Sequence, residues 1–557
     1  MTVSRQAADC PARTLLHLVG LPVLLCLSLL AMPGRGADPR IDRFEPQGAR
    51  RGSEAVIAIH GGRIGAEPAE LLFRKPGIAL KALETVGPNH VNATLAIAPD
   101  CPLGIHPIRV RTATGVSNLM TLHIGALEEI SEQEPNNDFA APQPIGLDVV
   151  VSGVVTNEDV DYFVVEAQEG ERLSIEIEGL RLGRTFFDPA VAILNEARFE
   201  LASNDDTALL RQDAYASLVV PETGKYIISV RETAYRGSGA STYRLHVGRF
   251  PRPSAVYPPG GRPGEQLEVR WIGDPRGEWT ESVTLPAEPA GDDGLLASDA
   301  GGVAPSPVPI RVVDLPNALE VEPNNGRAEA TDCTLPAACV GIIQEEGDVD
   351  FFRFTAAKGT VLDFTVYARQ IRSPLDPVMR VFDEGGKNLA GNDDNAGKPD
   401  SYFRFTAPAD GQYTLQVHDH LRAGGPDFIY RVEAKPPQPA IDLQVEEQRR
   451  YFATVADVPQ GGRTAVMVRA TRRDVGWALK LELDGLPEGV TAEAIPLAAN
   501  YNRIPVVLSA AADTPLAGGL VRLTASHEQA VSRFEQQTWL VRGRNNIPVW
   551  SYFDDRR

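Results

Sequence analysis

Two short stretches of the sequence, alike and far apart, carry oxygen-bearing side chains at a spacing suited to a cation. The first has Glu132, Glu134, Asn136 and Asn137 within SEQEPNN, followed by Asp159 and Asp161. The second has Glu320, Glu322, Asn324 and Asn325 within LEVEPNN, followed by Asp348 and Asp350. In an extended chain, residues two apart share a side. Glu132, Glu134 and Asn136 therefore face together, as do Asp159 and Asp161. Pro135 stiffens the segment and removes none of these groups. Calcium takes roughly six to eight oxygens, mostly carboxylate or amide, in a loose shell. Each set is sufficient if its two segments meet. The competing reading makes EPNN a turn leading into a domain, with the aspartates solvated or capping backbone N–H groups.

Other candidates are weaker. Asn204–Asp206 and Asn392–Asp394 follow strands and read as hairpin turns, with a second cation site as the alternative. Tyr226, Tyr413, Tyr243 and Tyr430 read as core residues with a tethered hydroxyl, not as ligands. His418 and His420 share a strand face, but two imidazoles without further ligands read as a solvated strand end. Cys333 and Cys339 close the short loop CTLPAAC and are a candidate disulfide in an oxidising compartment. Cys101 reads as a buried free thiol. The sequence has no G-x-S-x-G and no H-E-x-x-H, and His527-Glu528 lacks a second His. No segment is left for a large catalytic domain, so no enzyme is expected.

The positions of these residues reveal a duplication. Asp159 and Asp161 match Asp348 and Asp350, Asp188-Pro189 matches Asp376-Pro377, and Tyr243-Arg244 matches Tyr430-Arg431. The offset stays between 187 and 189 throughout. So steady an offset means two copies of one domain. A weaker repeat precedes each copy. Pro46, Gly48, Arg50 and Gly52 recur as Pro258, Gly260, Arg262 and Gly264. Residues 286–309, rich in Pro, Ala and Gly, read as a loose loop.

Period two dominates inside the copies. In RLSIEIEG, Leu173, Ile175 and Ile177 face one way, while Ser174, Glu176 and Glu178 face the other. Short strands bounded by Gly, Pro, Asn and Asp, with no helical pattern, predict an all-β chain. The expected architecture is a string of tandem β-sandwiches, jelly-roll and immunoglobulin-like.

The chain has 557 residues, with 54 Lys and Arg against 74 Asp and Glu, a net charge of −20. That balance argues against nucleic acid, whose phosphates need clustered cations. Arg5 and Arg13 precede an apolar run from Leu15 to Met32, and small residues follow at Gly34, Gly36 and Ala37. Residues 1–37 read as a signal peptide, with an uncleaved anchor as the alternative. Export to the medium, periplasm or cell surface is expected, with no membrane contact beyond that segment.

The combination E-x-E-P-N-N, D-x-D-[YF]-F, D-P, N-D-D and G-x-Y resembles the bacterial pre-peptidase C-terminal domain family. The resemblance covers 130–250 and 317–436. It implies a β-sandwich, usually a non-catalytic appendage of secreted peptidases, whose collagen-binding members hold calcium with the acidic segment and the following aspartates. Carried over, it implies calcium at Glu132, Glu134, Asn136, Asn137, Asp159 and Asp161, and at Glu320, Glu322, Asn324, Asn325, Asp348 and Asp350. Such members often have Asp where this chain has Asn137 and Asn325. No collagen-contact motif is recognisable. Residues 38–127 resemble an IPT/TIG-type Ig-like domain. Residues 251–316 read as a second, interrupted Ig-like domain, 438–545 as a C-terminal one, and 546–557 as a tail. The expected function is adhesion of a monomeric secreted protein to an extracellular polymer, protein fibre or polysaccharide. The alternatives are a structural spacer and an accessory or pro-region of a secreted peptidase.

Overall fold

The alternating apolar positions all become strands. The computed structural model describes residues 39–445 except 211, 290, 292 and 396, and residues 456–527 except 516 and 520. For 534–540 and 551–556 it describes the backbone alone. The expected signal segment lies outside the described residues. Among the described residues the helical pieces are two 3-10 turns, Leu180–Leu182 and Arg369–Ile371. The all-β architecture expected from the sequence is the one found.

Two stretches share one topology. In the first, one sheet runs in the order Glu128–Ser131, Val149–Val154, Thr242–Gly248, Arg172–Glu178, Tyr215–Val219. Facing it is a sheet in the order Gln143–Pro144, Val160–Ala167, Gly224–Glu232, Pro189–Asn195, Glu200–Asn204. The second stretch repeats both. Its sheets are Asn317–Leu319, Ala337–Ile342, Ile429–Lys435, Val361–Tyr367, Tyr402–Thr406, and Thr331–Asp332, Asp350–Ala356, Gly411–Asp419, Pro377–Asp383, Asn388–Asn392. The leading edge strand of each sheet pairs parallel with its neighbour, and the remaining pairs are antiparallel. Apolar residues fill the space between the sheets, Phe163, Ile175, Ile193 and Leu245 in one case, Phe352, Phe364, Leu415 and Val432 in the other.

The remaining segments are also strands. Residues 40–125 form two facing sheets around Ile57, Val91, Val110 and Leu122. Residues 440–510 contribute a sheet from Ala440–Val445, Arg463–Arg473, Arg503–Ala510 and Val490–Ala494. Ser551–Arg556, expected as tail, pairs antiparallel with Phe534–Leu540. The stretch 286–309 departs from the loose loop expected of it. Gly294–Leu295 pairs with Val308–Pro309, and Ser298–Asp299 with Gly302–Val303. Ala297, Ala304 and Val308 are buried beside Trp271, so small side chains in a Pro- and Gly-rich stretch suffice to anchor it.

A second departure concerns the outer sheet faces. Leu173, Ile175 and Ile177 face the core as expected. Glu176 and Glu178 on the opposite face are buried too, at 0% and 5% exposure. Neighbouring segments cover that face and supply the counter-charges. Glu178 meets Arg244, His123 at 3.2 Å and His246 at 3.4 Å. Arg244 also binds Glu129 at 3.0 Å. Glu176 is held by Arg252 at 2.7 Å and Arg181 at 3.1 Å, and accepts a hydrogen bond from Ser306. Arg172 pairs with Asp274 at 3.0 Å and Asp299 at 2.8 Å. In the second copy the buried carboxylate is Glu433, which stands where His246 does in the first and meets Arg311 at 3.3 Å. A buried charge is tolerable only when paired in this way.

Candidate metal centre

The segment leading into each copy is positioned by the edge of its first sheet. Glu132 follows the strand Glu128–Ser131, and its N–H donates to the Ser152 carbonyl, 3.0 Å. Glu320 repeats this on Val340, 2.9 Å. The alternation then turns Glu132 and Glu134 to one side. Asp161 is the second residue of Val160–Ala167, in the facing sheet. The site therefore forms where the two sheets meet. A carboxylate oxygen from each of Glu132, Glu134 and Asp161 lies within 4.8 Å of the others. Glu320, Glu322 and Asp350 form the same group in the second copy.

The remaining sequence candidates occupy defined places around these triads. Asn136 is buried, and its amide nitrogen donates to Glu134 Oε2 at 3.1 Å and Asp161 Oδ1 at 3.2 Å. Asn324 is buried with neither end of its amide hydrogen-bonded. Asp159 stands one step back. It accepts from Thr156 N–H and hydroxyl, both 3.0 Å, and from Asn137. Asp348 likewise accepts from Gln344 N–H at 2.7 Å and Val349 N–H at 2.8 Å, with Asn325 beside it. The NDD clusters and His418 do not join either triad.

Two residues belong to the site that sequence reasoning placed only in the core. The Tyr243 hydroxyl lies 2.7 Å from Asp161 Oδ2 and 3.0 Å from Glu132 Oε2. Tyr430 donates to Asp350 in the second copy. Their signal was the repeated Tyr-Arg pair, which carries no hint of partners 80 to 111 residues upstream. Tyr226 and Tyr413 do have the tethered hydroxyl expected, on the carbonyls of Glu222 and Ala409, 2.6 and 2.7 Å. The floor is kept open by glycine. A Cβ at Gly153 would strike Glu132 and Tyr243, and one at Gly341 would strike Glu320 and Tyr430.

Burial sets the electrostatics. It pushes Glu132 up to about 7 and Asp161 up to about 8, against the pull of the Tyr243 hydroxyl. Glu320 and Asp350 are raised for the same reason; Asp350 raises Glu320 further, while hydrogen bonds from Tyr430 and Glu320 hold Asp350 back. Glu320 Oε2 and Asp350 Oδ1 have no donor other than each other's proton. In the second copy Arg270 also lines the hollow beside Glu320 and Glu322. Carboxylates gathered in a partly dry site suit a hard divalent cation. It would replace the shared protons and satisfy the orphaned oxygens. Glu132, Glu134, Asp161 and the Asn136 amide would hold it in the first copy.

Residues 348–419 match the family described as Bacterial pre-peptidase C-terminal domain, and the chain carries one such domain there. A probable subtilase-type serine protease of Deinococcus radiodurans is 38% identical over 133 residues. That match covers 22% of this chain and 18% of the relative, so the chain spans less than a fifth of the relative's length. Among solved structures, the pre-peptidase C-terminal domain of a Bacillus anthracis collagenase matches 21% of this chain over its whole length, with 18% identity and a TM-score of 0.16. A Bacteroides ovatus glucan-utilisation protein, solved with a mixed-linkage heptasaccharide, covers 67% of this chain and 71% of its own, with 9% identity and a TM-score of 0.13.

Proposed function

We propose that this chain is an exported, non-catalytic binding or accessory protein in which two modules of one kind each hold calcium. The observation that carries the reading is the paired triad, Glu132, Glu134 and Asp161 beside Glu320, Glu322 and Asp350, built by the same strands in both copies. The domain match at 348–419 supports a peptidase-associated or binding role for the second copy. The shared strand order supports extending the pre-peptidase C-terminal assignment to 130–250. Asn136, Asn137 and Asp159, with Asn324, Asn325 and Asp348, complete the two proposed shells. On this reading 38–127 is the IPT/TIG-like domain, 251–316 and 438–545 are further Ig-like domains, and 1–37 directs export. Among the described residues no helix is long and apolar enough to cross a membrane.

The partner on this reading is an extracellular polymer, a protein fibre or polysaccharide, with a secreted peptidase as the second reading. The second reading is favoured by the name of the Deinococcus radiodurans relative. Its protease activity is not carried over to this chain. The test is retention on insoluble collagen, cellulose, chitin and peptidoglycan, in calcium and in chelator. Saturable, calcium-dependent retention on one matrix is expected, at least tenfold above that of a Glu134→Ala, Glu322→Ala variant. Equal, non-saturable recovery from every matrix would overturn binding in favour of a spacer or peptidase accessory.

A further inference from the structure

At one pair of core positions the second copy carries sulfur where the first carries aliphatic side chains. In the second copy Cys333 follows the short strand Thr331–Asp332, and Cys339 lies in Ala337–Ile342. Those strands belong to opposite sheets of the sandwich. The two sulfurs are 3.2 Å apart, and both residues are buried among Phe352, Phe364 and Val432. The first copy shows what the fold itself requires there. Cys333 N–H donates to the Arg353 carbonyl at 2.7 Å, and Ile145 N–H donates to the Val164 carbonyl at 3.0 Å. Cys339 sits opposite Val432 as Val151 sits opposite Leu245. Ile145 and Val151 fill these two places with ordinary apolar packing. The fold therefore needs no sulfur here, yet the second copy has two in contact. The remaining described cysteine, Cys101, is beside His106 in another segment, 3.8 Å from its Nε2.

We propose that Cys333 and Cys339 are a covalent modification site, joined as a disulfide that ties the two sheets of the second copy together. The loop between them is short, and both thiols are shielded once the sandwich has closed, so the bond forms during folding. The chemistry is thiol–disulfide exchange with a disulfide oxidant. Each cysteine loses its proton and one electron, one S–S bond forms, and the oxidant's S–S bond becomes two thiols. The consequence reaches the second acidic site alone. Two residues beyond Cys339, Gly341 leaves the space taken by the Glu320 carboxylate and the Tyr430 hydroxyl. Ile342 N–H donates to Glu320 Oε1, 2.9 Å. The cross-link therefore fixes the strand that floors that site, while the first site rests on packing only.

The test uses the full chain, refolded from the reduced state in glutathione and glutathione disulfide, then unfolded in iodoacetamide and digested with trypsin. Both cysteines fall in the peptide 328–353, which contains no other cysteine. The expected peptide is lighter by two hydrogen atoms and unalkylated. A peptide carrying two alkyl groups would overturn the proposal. A Cys333→Ile, Cys339→Val variant, which copies the first module, separates the bond from the packing. Reductant is expected to lower the unfolding midpoint of the second module by a few degrees in the natural protein and leave the variant unmoved. Equal responses in the two would count against a stabilising cross-link. Neither readout depends on calcium binding.

Discussion

In chelator, the unfolding midpoint of this protein falls as pH rises from about 5 to about 8, and calcium removes the fall. Burial raises Glu132 to about 7 and Asp161 to about 8, above their values in an unfolded chain. Between the unfolded and folded values the folded state holds more protons than the unfolded state, so raising the pH favours unfolding. Full stability is present below the unfolded pKa and is lost as pH climbs through the folded one. Glu320 and Asp350 act in the same direction in the second copy. A tenfold change in proton affinity is worth about 1.4 kcal/mol, so even after discounting for solvent screening at the partly exposed Glu132 one copy stands to lose several kcal/mol by about pH 8. A bound divalent cation stabilises the ionised carboxylates and reverses the trend. Scanning calorimetry at pH 5, 6, 7 and 8, in calcium and in chelator, checks this. Glu132→Gln with Glu320→Gln should flatten the chelator profile. Parallel profiles in the two buffers would contradict it.

Replacing Arg244 by methionine should destabilise the first copy by about 3–5 kcal/mol, the range for removing one partner from a buried ion pair. Arg244 is buried, and its guanidinium serves Glu129 and Glu178 together. It also packs where any side chain at Gly48 would collide with it, so the same group joins the first sandwich to the residues before it. Methionine keeps much of the volume, leaves Glu129 without its cation and leaves Glu178 only the imidazoles of His123 and His246. Urea unfolding gives the size of the effect. An Arg244→Met, Glu178→Gln double variant should recover part of the loss, because one of the orphaned charges is gone. A change below about 1 kcal/mol would mean that solvent reaches the pair and screens it.

Much of this molecule is legible in its sequence, for identifiable reasons. Leu173, Ile175 and Ile177 announce a strand because alternation is enforced by the pleat. The duplicated acidic segments announce themselves because both copies keep the same residue types at the same spacing. Alternation also marks Glu176 and Glu178 as belonging to the other face, but it says nothing about what covers that face. Their partners Arg252, Ser306 and His123 come from distant segments, and pairing across such distances leaves no local pattern. Tyr243 was hidden for the same reason. A tyrosine in a closing strand reads as core until the fold sets its hydroxyl between Glu132 and Asp161. The ribbons within 286–309 were obscured by composition, since Pro and Gly mask the few apolar residues that anchor them.

The most direct test of the account is a calorimetric titration of calcium into the metal-free protein at pH 7, in two buffers of different ionisation enthalpy. The account predicts two saturable sites, each releasing on the order of one proton as the cation displaces it from the buried carboxyls. Glu134→Ala should abolish one site and Glu322→Ala the other. Absence of binding up to millimolar calcium, or binding without proton release that survives both substitutions, would contradict it.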